Sequence, residues 1–257
     1  MSAVDWSILW PPCLAGLLVT ATHVPLGIRV LDRGIVFIDL AIAQIAGLGV
    51  VFAVFIGLEP HGWAVQACAL AAALAGALML TWTERRWPDV QEAMIGVTFI
   101  LAASGALLLL AKNPHGGEHL RGLLAGQILW VSPGTLPLVA LAYAPLLLFI
   151  ANSGAVAGRA AFYVSFAIAV TISVQLVGLY LVFATLIVPA LATRRLRRRR
   201  HAAAYGLSAI GYVAGLAVSS VADLPSGPAI VWTMSALAVP VFALTGYRRD
   251  GASRLAG

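Results

Sequence analysis

A single carboxylate stands inside the stretch GIVFIDLAIAQIAGLGVVF, residues 34–52, and it is the side chain with the clearest capacity for chemistry in this chain. Asp39 has only Gln44 for polar company there, while the other acids fall in loops or at the ends of apolar runs. A charged carboxylate inside a lipid crossing costs about 3 kcal/mol or more, so it usually faces a cavity or a partner and marks an ion path. The competing reading is an interfacial ion pair with Arg29 or Arg33. His23, in TATHVPLGIRVL, lies close to Pro25 and Gly27. Helices broken there, or at Gly47 and Gly49, would turn side-chain and backbone oxygens toward one cavity, as transporters do around an ion. Without a break, Asp39 and Gln44 are five residues apart and do not share a narrow helix face. A lone histidine also serves as a hydrogen-bonding group between helices.

Two further groups have the residue types of a site. The segment KNPHGGEHLRG carries His115, Glu118 and His119, but Gly116 and Gly117 interrupt the continuous helix a zincin needs, so a solvated loop is the simpler reading and external metal capture the other. Asp223 precedes a Pro, Ser, Gly, Pro turn in SSVADLPSGPAIV, where it either caps an ordinary hairpin or flanks an ion access route between helix ends. There is no Walker lysine motif, nucleophile elbow or Cys-x-x-Cys, so ATP hydrolysis is expected on a separate subunit.

The elements that must hold these residues are membrane helices. Of 257 residues, 61% are hydrophobic and 10% charged, with a mean hydropathy of +0.96, whereas soluble domains are about a quarter charged. The expected fold is an all-α polytopic membrane protein, a single transmembrane domain over 1–257. Spans are expected near 7–31, 34–57, 63–83, 91–111, 134–152, 203–222 and 228–247. The start, MSAVDWSILWPPCLAG, has an acid where a signal peptide has positive charge, so the first span is expected to be retained. Cys13 and Cys68 both lie in apolar segments, which is no disulfide framework.

The run 160–193 would make one helix of about 50 Å, too long for a single crossing. Gly178 and Pro189 are the natural breaks. Folded as two crossings broken near Gly178, it gives nine spans with the N-terminus outside and the C-terminus inside. The six arginines of RRLRRRR (194–200), and every other basic residue except Lys112 and Arg121, then lie on the cytoplasmic side. A single crossing would put Arg29, Arg33, Arg85 and Arg86 on the opposite side from the tract. The basic excess therefore reads as orientation and contact with membrane lipid, not as a nucleic-acid surface.

Four segments, in order, resemble the permease subunit of bacterial ABC importers for zinc, manganese and related divalent metals: PLGIRVLDRGIVFIDLAIAQIAGLG (25–49), HLRGLLAGQILWVS (119–132), VQLVGLYLVFATLIVPALATR (174–194) and DLPSGPAIV (223–231). The resemblance implies an inner-membrane protein in which two copies form the ion path, cytoplasmic ATPase subunits bind below, and a periplasmic metal-binding protein delivers zinc or manganese, with no permanently bound cofactor. Members of that family carry Gly-Asp and, four residues on, His in the second segment. Those positions fall here on Asp39, Leu40 and Gln44, so the carboxylate is moved by one place and the imidazole is an amide. The expected metal-path residues are accordingly Asp39, Gln44, His23 and Asp223. The family's Asp-Pro-Glu stretch before its coupling helix is reduced to ANSGAVAGRAAF (151–162), which leaves Ala155, Val156, Gly158 and Arg159 for ATPase coupling. A permease for a metal chelate such as haem or siderophore, an intramembrane metalloenzyme, and a purely structural subunit are the alternatives.

The topology is checked with Cys13 and Cys68 replaced by alanine and one reporter cysteine added. Leu196→Cys should react with an impermeant maleimide only after the membrane is opened, and Asn113→Cys should react in intact spheroplasts.

Overall fold

The apolar runs become nine α-helices among the described residues of a computed structural model, which describes 6–59, 62–110, 128–153, 158–196 and 198–254. They are α1 (Trp6–Arg33), α2 (Ile38–Phe55), α3 (Trp63–Arg86), α4 (Gln91–Leu110), α5 (Leu136–Ser153), α6 (Arg159–Val177), α7 (Leu179–Ala192), α8 (Arg200–Ala222) and α9 (Ser226–Arg254). Among the described residues seven segments are long and apolar enough to cross a membrane, whereas α7 is short and apolar. At 1.5 Å per residue α7 is about 21 Å long, less than a full hydrocarbon core. The chain is an all-α polytopic membrane protein. Exposed side chains such as Ile100, Leu141 and Leu244 are what a lipid-facing surface requires.

The break at Gly178 forms where the sequence places it. Gly178 has φ 87° and ψ 161°, a backbone region essentially restricted to glycine, and its N–H closes α6 on the carbonyl of Val174. Pro189 does not break α7 but lies inside it.

Two compact units partition the helices. Met1–Arg33, Gln127–Tyr143 and Tyr180–Gly257 form one, and Gly34–Gly126 with Ala144–Leu179 form the other. In the first unit α8 packs on α1 and α9. Val24 and Ile28 of α1 meet Ala190 of α7 and Ala204 of α8 in one core cluster, and an ion pair ties the two helix ends. Arg200 reaches both oxygens of Asp32, at 2.9 and 3.0 Å. The end of α1 and the start of α8 therefore lie at one end of this unit, as the broken reading of 160–193 requires and the single crossing forbids.

In the second unit α2 is central, packing on α3, α4 and α6. Val50 and Ala53 of α2 meet Val65 and Ala69 of α3. Gly49 allows this approach, since a Cβ there would stand 2.8 Å from the Cys68 carbonyl.

Neither glycine nor proline breaks α1 or α2, contrary to the expectation at Pro25, Gly27, Gly47 and Gly49. Pro25 has no N–H and so leaves the Ala21 carbonyl unpaired within α1. The Tyr205 hydroxyl of α8 donates to that carbonyl at 3.1 Å, and α1 continues. Gly27 serves contact instead, because a Cβ there would collide with the Leu186 carbonyl of α7.

Gly178→Ala should lower stability by about 1–3 kcal/mol, the cost of forcing a side chain into this backbone region. Gly47→Ala, where a Cβ meets nothing within 4 Å, should leave it unchanged or raise it, since alanine is the better helix former; thermal unfolding of purified protein compares the two.

Candidate functional site

The first turn of α2 sets the position of Asp39. Gly34, at φ 72°, turns the chain after α1, and α2 starts at Ile38 with Phe37 as its N-cap. Asp39 is thus the second residue of the helix and is fully buried. Neither of its oxygens has a hydrogen-bond partner among the described residues. The compensation comes from the helix itself: the amides of Asp39 and Leu40 lie near the carboxylate, and the positive end of the helix dipole favours negative charge there.

Gln44 faces elsewhere. Leu40, Gln44 and Gly47 are all half-buried, and at spacings of four and three residues they line one face of α2. Because α2 is continuous, Asp39 is rotated about 100° from Leu40 and lies off that face. The positions that the family resemblance assigns to ligands, Leu40 and Gln44, therefore share the open face, and the carboxylate does not.

His23 belongs to the other unit, in α1, and is buried. Its Nδ1 lies 3.1 Å from the Val19 carbonyl and 3.0 Å from Thr22 Oγ1. Since a carbonyl only accepts, Nδ1 carries the proton and Nε2 presents its lone pair. Nε2 has no partner among the described residues, so the ring is held in the tautomer a metal ligand requires. Asp223, by contrast, is exposed and ends α8 in the left-handed region at φ 51°, its N–H bonded to the Ser219 carbonyl. That is the turn chemistry of a short polar residue.

Among the described residues no three His, Cys, Asp or Glu side chains form a group that could hold a metal ion. The loop with His115, Glu118 and His119 lies outside the described residues, as do Ala155 and Val156. Gly158 is the exposed N-cap of α6. Arg159 opens that helix and lies 3.5 Å from Glu84 at the end of α3.

Residues 5–153 and 157–245 match the ABC 3 transport family. The chain belongs to that family. Solved structures with the same fold include PsaBC from Streptococcus pneumoniae in complex with Fab, at a TM-score of 0.70 and 18% identity, covering 93% of this chain and 92% of that one. An inward-facing ABC transporter assigned to the metal-chelate type is similar at a TM-score of 0.62 and 15% identity, over 93% of this chain and 85% of that one.

One cluster in this ABC 3 family member was not singled out by sequence. Gln91, at the start of α4, is buried and donates from Nε2 to the Leu80 carbonyl and to Tyr163 Oη, both at 3.0 Å. Its Oε1 lies 2.9 Å from the Thr83 hydroxyl. The available signal was polar residues at the ends of three successive or distant spans, which reads equally well as interface decoration.

A buried carboxylate without a partner adds nothing to the fold's stability. Asp39→Asn should therefore leave the melting temperature of the purified protein unchanged or raise it, as read by thermal unfolding in detergent.

Proposed function

We propose that this chain is the membrane-spanning permease of an ABC importer for a divalent metal ion, zinc or manganese. In this reading two copies line the path in a bacterial inner membrane, cytoplasmic ATPase subunits supply the energy, and a periplasmic metal-binding protein delivers the cargo. The chain contributes selection and gating and performs no hydrolysis itself. The observation that carries the reading is the fully buried, unpartnered Asp39 in the first turn of α2, in a chain matched almost throughout by a transport family.

A transported ion must leave as readily as it enters, so sparse ligands suit the task better than a closed cage. Within one unit Asp39 supplies a hard oxygen near the cytoplasmic end of α2 and Gln44 a neutral oxygen on its open face; within the other, His23 presents a nitrogen lone pair. Asp223 flanks the turn between α8 and α9. An amide where the family has an imidazole favours manganese over tight zinc binding, because oxygen ligands suit the harder ion. The likeness to a transporter of the metal-chelate type supports a second reading, a permease for a metal chelate. That cargo calls for a wider path with aromatic lining, whereas the open face of α2 carries Leu40, Gln44 and Gly47.

Cells lacking the chain are compared with cells carrying it and with cells carrying Asp39→Asn, under zinc and under manganese limitation, by elemental analysis. The intact chain should restore one metal. The variant, present at the same level, should restore it about tenfold less well or worse, the scale lost when a metal site loses a supporting group. Restoration of neither metal would favour the chelate reading, and equal restoration by Asp39→Asn would remove this residue from the path.

A further inference from the structure

We propose that Gln91 is a positioning residue that links the start of α6, which follows the ATPase-coupling segment, to the first turn of α2, which holds Asp39. The inference rests on the permease function proposed above. All the groups involved belong to one unit, Gly34–Gly126 with Ala144–Leu179.

The linkage is a series of polar contacts at four helix ends, joined to one another through neighbouring residues of α3, α4 and α6. At the start of α6, Arg159 lies 3.5 Å from Glu84, and Tyr163, one turn further on, receives a hydrogen bond from Gln91 at 3.0 Å. Gln91 also donates to the Leu80 carbonyl at 3.0 Å and lies 2.9 Å from the Thr83 hydroxyl, which holds it against the end of α3. Glu92 is the next residue of α4, and its Oε1 accepts the backbone N–H of Phe37 at 3.4 Å. Phe37 is the N-cap of α2, and Asp39 lies in the turn that it opens.

Three features make this more than local adhesion. Both donor hydrogens of the Gln91 amide and its oxygen are engaged, so a rotation of α6 about its start cannot leave α3 and α4 behind without exposing a buried polar group. Gln91, Thr83 and Tyr163 are all buried, so water is not at hand to replace a lost bond. The far end of the series is a backbone N–H at the N-terminus of α2, next to the amides that stabilise Asp39. A shift of α6 driven by an ATPase would thereby alter the turn that presents the carboxylate.

The assembled complex, with ATPase and delivery protein, is placed in proteoliposomes. Uptake of manganese and of zinc, each alone, is measured against ATP hydrolysed. Tyr163→Phe and Gln91→Leu should keep wild-type ATPase rates while uptake per ATP falls about fivefold or more, the range of a lost coupling between sites. Tyr212→Phe serves as the control, since it removes a buried hydroxyl that pairs with Thr185 at 2.8 Å in the other unit. An unchanged ratio in both variants, or an equal fall in Tyr212→Phe, overturns the relay. Absence of ATP-driven uptake by the wild-type complex overturns the permease reading instead, and the relay with it.

Discussion

Inside a bilayer no water completes the hydrogen bonds of the main chain, and that constraint governs the rest of this structure. Each crossing must satisfy its own N–H and C=O groups, which leaves helices as the one economical form for this apolar chain. Departures are repaired individually. The carbonyl that Pro25 frees in α1 is taken by Tyr205 from α8, and hydroxyls inside the helices return to carbonyls of the preceding turn, as Thr81 does to Ala77 and Thr185 to Leu181. Small residues follow from the same constraint, because helices without a hydrophobic force between them gain most by close approach. Gly27 against Leu186 and Gly49 against Cys68 are the clearest cases.

Against this background the unrepaired groups acquire meaning. Asp39 and the Nε2 of His23 are buried without partners among the described residues, as are Thr171 Oγ1 and one atom each of Glu84, Glu92 and Arg200. Helix dipole and nearby amides make the carboxylate of Asp39 tolerable. The tautomer of His23 is imposed by the Val19 carbonyl. Both carry lone pairs that the described residues leave unpaired.

The contrast with the cluster around Gln91 is instructive. There every polar group of the amide is paired, and the cost of burying it is recovered only while α3, α4 and α6 keep their arrangement. Satisfied networks fix geometry, and unpaired acceptors leave it free of that constraint. This unit contains both kinds, joined through Glu92 and Phe37 at the start of α2.

Hydropathy alone determined the all-α membrane class and most helix bounds, since transfer to lipid is a property of local composition. Gly178 determined the break between α6 and α7, because φ 87° admits little else. A resemblance to ABC permeases was legible from four short segments, and the match over 5–153 and 157–245 shows membership in the ABC 3 transport family. What sequence left open was which glycines and prolines would break a helix and which way each polar side chain would face. Pro25 is silent as a break only because Tyr205, 184 residues beyond Ala21, supplies the missing donor. Asp39 and Gln44 separate because α2 stays straight through two glycines, one of which is needed for contact with α3. Gln91 became visible only when Tyr163 was brought to it from 72 residues away. These outcomes depend on pairs of groups distant in the chain, and only the packing of helices decides which pairs meet.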